Sequence, residues 1–343
     1  MKRLLSIYLV FAMLLLNVIP SSAEGSSSSK KVLLENGYIT ETIGEYGQKN
    51  LTLHRKAERE LRTAKSNGIE QAEEELLALG LSDTIVATMP EDELINYASG
   101  GDIKASISYY RVRKDGTWTQ VSEEMAVAAS KDISPIDITK PDEQDQTQDA
   151  YIRVWHALQN IGENNYRFAT AAVWLKMPVF RWTDSLGSVA MNCTVKPHTA
   201  SGRYSYDCYH SNNRGELIEH LTNEDTVTNF KTSDFRNPIK GNFQGVGAMF
   251  QIPPDQLSDM EDCYVYSDYQ VYVEYVGSVD TPTLTRDLNS YGTYDHSEVR
   301  LSFAPELTID ARGSFSTTIG LNGLRLVTST WTVPLQFRYT YIP

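Results

Sequence analysis

Apolar positions in the first third of the chain recur at helical spacing. Leu53, Ala57, Leu61 and Ala64 form a narrow stripe at i, i+4, i+8 and i+11, ended by Asn67-Gly68. Ile69, Ala72, Leu76 and Leu77 form a second stripe, and Gly80 stands where a helix end wants a left-handed residue. Ser82 is placed to cap a short helix carrying Ile85. Pro90 suits the start of another, with Leu94, Ile95 and Ala98 inward and Gly100-Gly101 as the stop. The period then changes. Ala105 to Arg113 has strand composition, Lys114-Asp115-Gly116 is a turn, and a second strand follows over Thr117 to Val121. Ser122 caps a brief helix with Glu123 and Glu124 in its first turn, where negative charge suits the helix dipole.

Residues 133–149 combine two prolines with a run of acidic side chains and little apolar surface, so they read as an acidic linker. Beyond them the pattern is β. Tyr151, Arg153, Trp155 and Ala157 alternate with Ile152, Val154, His156 and Leu158, and Gly162-Glu163-Asn164-Asn165 is a turn. Strands are expected at 166–176, 179–195, 203–209, 244–252, 263–276, 299–303, 306–312, 314–320, 323–329 and 331–341, with Asn322-Gly323 as a hairpin turn. Fourteen of the 20 tyrosines fall between Tyr151 and Tyr341, which suits strands. Arg214 to Thr222 is expected as one helix inside a polar loop. The predicted fold class is α+β: a small N-terminal helical and hairpin region, then a mainly antiparallel β-sandwich.

The start of the chain changes the picture further. Lys2 and Arg3 precede an apolar run to Ile19; Pro20 breaks it, and Ser21-Ser22-Ala23 supplies the small residues of a cleavage site. That is the pattern of a secretory signal peptide over 1–23, and it predicts a secreted protein beginning at Glu24 with no membrane helix of its own. The expected organisation is a flexible Ser-rich lead-in over 24–50, a helical and hairpin region over 51–132, the linker over 133–149 and the β-sandwich over 150–343.

The net charge of −13 argues against nucleic acid as a partner, because that affinity rests on clustered cations. No GxSxG, HExxH or calcium loop is present, so no cofactor or metal is expected. Glu216 to His220 has one histidine where a zinc helix needs two. Gly245-Val246-Gly247 lacks a third glycine and signals close strand packing. Asp255, Asp259, Glu261 and Asp262 cluster without a binding-loop pattern. Tyr294-Asp295-His296-Ser297 is rich in acid–base types, yet neighbours in a strand point to opposite faces, so Asp295 cannot orient His296. Cys193 and Cys208 flank a turn about positions 200 and 201, a register that sets them opposite each other and predicts a disulfide across one hairpin.

The stretch Leu79-Gly80-Leu81-Ser82, then Ile85, Pro90-Glu91, Ser108-Tyr109-Tyr110 and Ser122-Glu123-Glu124-Met125-Ala126, resembles a module of uncharacterised secreted proteins of Gram-positive bacteria. The resemblance covers about 69–130, extends in style to the β-rich half, and implies export and a two-part architecture without supplying an activity. The leading functional expectation is an exported non-catalytic protein that binds an extracellular or cell-envelope ligand. Tyr204, Tyr206, Tyr264, Tyr266, Tyr272 and Tyr275 are its candidate contact aromatics. The alternatives are a secreted hydrolase acting on polysaccharide or peptide, and a membrane-active β protein using the Ser/Thr-rich alternation of 314–330.

Overall fold

A computed structural model describes residues 30–337. Within that range 45–46, 57–64, 114–116, 132–148, 179–182, 192, 213, 215, 228–229, 238–240, 254–262, 280–287, 297–305, 310–314, 322–323 and 328–329 are not described. The chain is mainly antiparallel β. The largest sheet contains β1 (Lys30–Leu34), β2 (Gly37–Ile43), β3 (Lys49–Arg55), β4 (Ile103–Val112), β6 (Ala150–Gly162), β7 (Asn165–Lys176), β14 (Cys263–Val279), β10 (Ser201–Ser211) and β11 (Leu217–Thr226), in that spatial order. β5 (Trp118–Val121) pairs with β4 and β9 (Cys193–Val195) with β14. A second sheet has the order β12 (Phe230–Asn237), β13 (Gly241–Gln251), β8 (Thr183–Met191), β15 (Leu288–Asp295) and β19 (Thr330–Phe337). β16 (Glu306–Ile309), β17 (Phe315–Leu321) and β18 (Leu324–Val327) form a third.

Both faces of the large sheet are covered at its centre, and period-two alternation sorts the side chains. On β6, β7 and β14, Ile152, Val154, Phe168, Trp174, Val271 and Val273 meet Leu186, Ala190, Val246 and Tyr294 of the second sheet in one core. The intervening Trp155, Ala157, Ala169, Ala171 and Tyr272 join a second core with the helices. Those helices are α1 (Lys65–Ala78), α2 (Asp83–Ala87), α3 (Glu91–Ser99) and α4 (Glu123–Lys131). Strands covered on both sides carry apolar residues at both parities, which is why their sequence looks hydrophobic almost throughout.

The helix ends follow the local chemistry. Gly80 has φ +85°, Leu81 N–H donates to the Leu76 carbonyl at 3.0 Å and Gly80 N–H to Leu77 at 2.9 Å, so the left-handed residue closes α1. A Cβ at Gly80 would strike Ile107, a second reason for glycine. Trp155 Nε1 donates to the Leu79 carbonyl at 2.9 Å, tying the same turn to the sheet. Ser82 Oγ accepts from Ile85 N–H at 3.4 Å as the cap of α2. At the other turn expected from sequence, Glu163 (φ 52°) and Asn164 (φ 59°) form the two-residue loop between β6 and β7.

Several expectations are corrected. The 24–50 lead-in contains β1, β2 and the start of β3, and the helical stripe begun at Leu53 starts inside β3. Leu51 and Leu53 both point into the core, so their period of two outweighs the i+4 match to Ala57. Arg214 to Thr222 is not a helix: Leu217 onward pairs with β10, whose backbone offers partners that local propensity does not record. The loop beyond it contains β12, and β15 was not anticipated as a strand. Finally, β9 and β10 do not form a hairpin; both pair with β14, one after the other along its length. The 133–149 linker falls almost wholly outside the described residues, yet β4 pairs with β6 from Ile103↔Gln159 to Val112↔Ala150. Hydrogen bonding therefore runs unbroken from the N-terminal part of the sheet into the C-terminal part.

Candidate functional site

β10 alternates cleanly. Arg203 and Ser205 face the helices, while Tyr204, Tyr206, Cys208 and His210 lie on the other face. On that second face the rings form a ladder. Tyr204 and Tyr206 stack with centroids 6.3 Å apart, Tyr206 meets Tyr266 at 5.6 Å, and His210 stacks on Tyr264 at 4.4 Å. The inner end of the ladder, Tyr269 against Phe250, is covered by the second sheet. Its outer rings, Tyr204, Tyr206, Tyr264 and Tyr266, are half-buried. Beside them runs β11, nearly all of whose side chains are exposed, so the sheet ends in a strand with water at both faces. Tyr204 donates to Asp225 of β11 at 3.3 Å. Burial, and after it Asp225, raises the Tyr204 phenol above its ordinary value, so the ring stays neutral.

Four of the six tyrosines singled out from sequence thus share one accessible face. Tyr272 and Tyr275 do not: both are buried, Tyr272 toward the helices and Tyr275 stacked on Phe168 at 5.0 Å. Their strand is covered on both sides, so alternation sends neither to solvent. The cysteines also separate. Cys193 is opposite Val279 and Cys208 opposite Tyr266, thirteen positions apart on β14 (279 − 266). At about 3.3 Å per residue that is roughly 43 Å, far beyond disulfide reach.

A buried polar cluster joins α3 to the sheet. Arg203 pairs with Glu93 and donates to the Thr88 carbonyl at 2.8 Å. Tyr97 and Tyr272 hydroxyls lie 2.7 Å apart, and both reach Glu274, at 3.0 and 2.6 Å. Arg167 sits over the Tyr97 ring at 4.3 Å, bonds Gln159 at 2.7 Å and approaches Glu274 at 3.8 Å. Burial first, then the Glu274 charge, outweighs Arg203 and lifts the Glu93 carboxyl to about 7. The cluster is enclosed by α3 and the sheet, and its role is to fix one against the other.

A second buried cluster involves the Tyr294-Asp295-His296 string. His296 Nδ1 is 2.8 Å from Asp184 Oδ1, Tyr294 donates to the same carboxylate, and Trp174 Nε1 donates to Tyr294 at 2.8 Å. Asp184, on β8, is the partner that sequence reasoning missed. It lies 112 residues away and no local pattern announces it. His156 lies between the sheets, with Nδ1 2.9 Å from Thr170 Oγ1 and Nε2 2.6 Å from Ser290 Oγ. Burial lowers it to about 3, so it is a neutral core histidine.

Glu219 and His220 lie on opposite faces of β11, where His220 stacks on Tyr209 at 4.3 Å. Among the described residues no group of three His, Cys, Asp or Glu side chains could hold a metal ion. Gly245 is a close-packing position, because a Cβ there would strike the Ser188 carbonyl. The acidic group at 255–262 and Ser297 lie outside the described residues. Among the described residues no helix is long and apolar enough to cross a membrane.

No known protein family and no curated protein matches the chain. Among solved structures, one titled "AvmM Catalyzes Macrocyclization in Alchivemycin A Biosynthesis" matches at 8% identity and a TM-score of 0.25, over 52% of this chain and 82% of that one. A likeness that distant carries no argument about this protein.

Proposed function

We propose that the chain is an exported β-sandwich protein, with an N-terminal helical region, that acts by binding an extracellular or cell-envelope ligand. The observation that carries this reading is the half-buried ring ladder Tyr204, Tyr206, Tyr266 and Tyr264 on the β10–β11 ribbon. Partly exposed rings offer rigid contact area, on which sugars stack through their apolar faces. Asp225, exposed beside Tyr204, supplies an acceptor for a hydroxyl. The core shared by the two larger sheets supports the sandwich, and the leader over 1–23 supports export and release. The Leu79-Gly80-Leu81-Ser82 element supports placing the chain beside the secreted Gram-positive group it resembles.

The test is binding to cell-wall polymers and envelope glycans by the wild type and by Tyr206→Ala/Tyr266→Ala. Saturable binding weakened at least tenfold in the variant supports the reading. A secreted hydrolase is the second reading, favoured by the Asp184–His296 pair at 2.8 Å. Turnover of a polysaccharide or peptide that is lost in Asp184→Asn or His296→Gln, with the ring variant still active, would replace binding with hydrolysis.

A further inference from the structure

The two outer strands of the large sheet are opposite in character. β1, sequence Lys-Lys-Val-Leu-Leu, is cationic and pairs only with β2 among the described residues. β11, at the far end, carries Glu219, Glu224 and Asp225 with no Lys or Arg, and pairs only with β10 among the described residues. Both strands expose apolar side chains. Of the eight exposed large hydrophobics among the described residues, five lie on these two edges: Val32, Leu33, Leu217, Ile218 and Leu221. Leu33 is 77% exposed and Leu217 61%. A sheet edge offers unpaired backbone donors and acceptors, and monomeric proteins blunt such edges with charge or proline, not with leucine.

We propose that β1 of one copy of this chain adds in antiparallel fashion to β11 of the next, so that the large sheet continues from molecule to molecule. The register that sets Lys31 against Glu219 also sets Val32 against Ile218 and Leu33 against Leu217. One alignment therefore pairs a cation with an anion and covers four of the five exposed apolar side chains. Charge selects the copy's orientation. β1 against β1 gathers four lysines on one short ladder with no carboxylate to meet them, and β11 overlapped with β11 sets Glu219 against Glu224, so neither closed two-fold dimer is favoured. The contact uses two different surfaces, so association is head-to-tail and each added copy presents the same free ends as the first. This inference concerns the strand edges and does not depend on what the ring ladder binds.

Two surface variants test it, using protein recovered from a secreting host. Lys31→Glu/Leu33→Glu makes the β1 edge acidic, and Leu217→Lys/Glu219→Lys makes basic the 217–219 segment of β11 that meets β1. Circular dichroism and melting curves first confirm that both remain folded. Sedimentation velocity of the wild type should show a concentration-dependent series of oligomers. Each variant alone should sediment as a monomer at the same concentrations, because its two ends now carry like charge. An equimolar mixture should regain the series, since each variant offers the edge that the other needs. A wild type that is monomeric throughout overturns the proposal. So does a Lys31→Glu/Leu33→Glu protein that still dimerises through its intact β11, or a mixture that stays monomeric.

Discussion

Arg203 on β10 and Glu93 on α3 form an ion pair with both side chains at or below 10% exposure, linking residues 110 positions apart. This pair and the Tyr97–Tyr272–Glu274 hydroxyl cluster, together with Leu94 in the core, hold α3 against the sheet. Buried pairs add modest net stability when intact, because each ion gives up its hydration. Losing one partner is far more costly, because the other is left buried and uncompensated. Arg203→Met should therefore lower the unfolding free energy by about 3–5 kcal/mol. Adding Glu93→Gln should recover part of that loss. Urea denaturation of the two single variants and the double measures the coupling, and additive losses would mean that the two residues act independently.

Glu93 and His156 give stability opposite dependences on pH. The Glu93 carboxyl titrates near 7 in the folded chain and at its ordinary 4.5 unfolded. Folding therefore holds a proton between those values, and stability falls as pH rises through that window, then stays flat above it. His156 titrates near 3 folded and 6.5 unfolded. Its contribution is whole above 6.5 and is lost as pH falls toward 3. Between about 4.5 and 6.5 the two slopes oppose, each limited to about 1.4 kcal/mol per pH unit. The stability of Glu93→Gln minus that of wild type should rise with pH over that range, whatever its offset, and that of His156→Gln minus wild type should fall. Unfolding free energies at half-unit pH steps check the two signs separately.

Features decided within a few residues were legible in the sequence. Gly80, Ser82 and Pro90 mark helix boundaries, the β6–β7 hairpin falls at its turn residues, and β4 pairs with β5 as expected on either side of 114–116, which lie outside the described residues. Leu321 of β17 pairs with Leu324 of β18, on either side of the turn expected at Asn322-Gly323, which itself lies outside the described residues. Features decided by distant partners were not legible. β11 is a strand because β10 lies beside it, and His296 is oriented by Asp184 from another strand. The tyrosine set was half-readable: residue type selected it, but which rings reach water depends on the layers over β14, and these seal Tyr272 and Tyr275 while leaving Tyr264 and Tyr266 accessible.

The placement of Cys193 and Cys208 along β14 fixes their chemistry. Peptide mapping of the oxidised protein without reduction should find no pair linking the two, and Cys208→Ser should leave the melting temperature unchanged within a degree or two. Recovery of a 193–208 linked peptide from folded monomer would mean that β9 and β10 pair with each other and not in series with β14.

The six tyrosines should divide by stability as they divide by exposure. Tyr275 is sealed in the core between the two larger sheets, stacked on Phe168. Tyr272 is sealed against the helices, bonded to Glu274 at 2.6 Å. Replacing either with alanine opens a ring-sized void, and at Tyr272 also removes a buried hydrogen bond, for a loss of about 3–5 kcal/mol. Tyr204, Tyr206, Tyr264 and Tyr266 already contact water: Tyr204 and Tyr206 rest one side on buried Tyr269, Tyr266 meets Tyr206, and Tyr264 stacks on His210. Alanine at any one of these four should cost about 1 kcal/mol or less, the scale of an aromatic pair on a partly exposed face. Six single variants compared by urea denaturation give the division directly. If Tyr206→Ala and Tyr266→Ala destabilise as much as Tyr275→Ala, the outer rings are holding the ribbon together and are not held ready for a ligand. If the outer four are nearly neutral, aromatic surface is being kept in water at positions where folding does not require it.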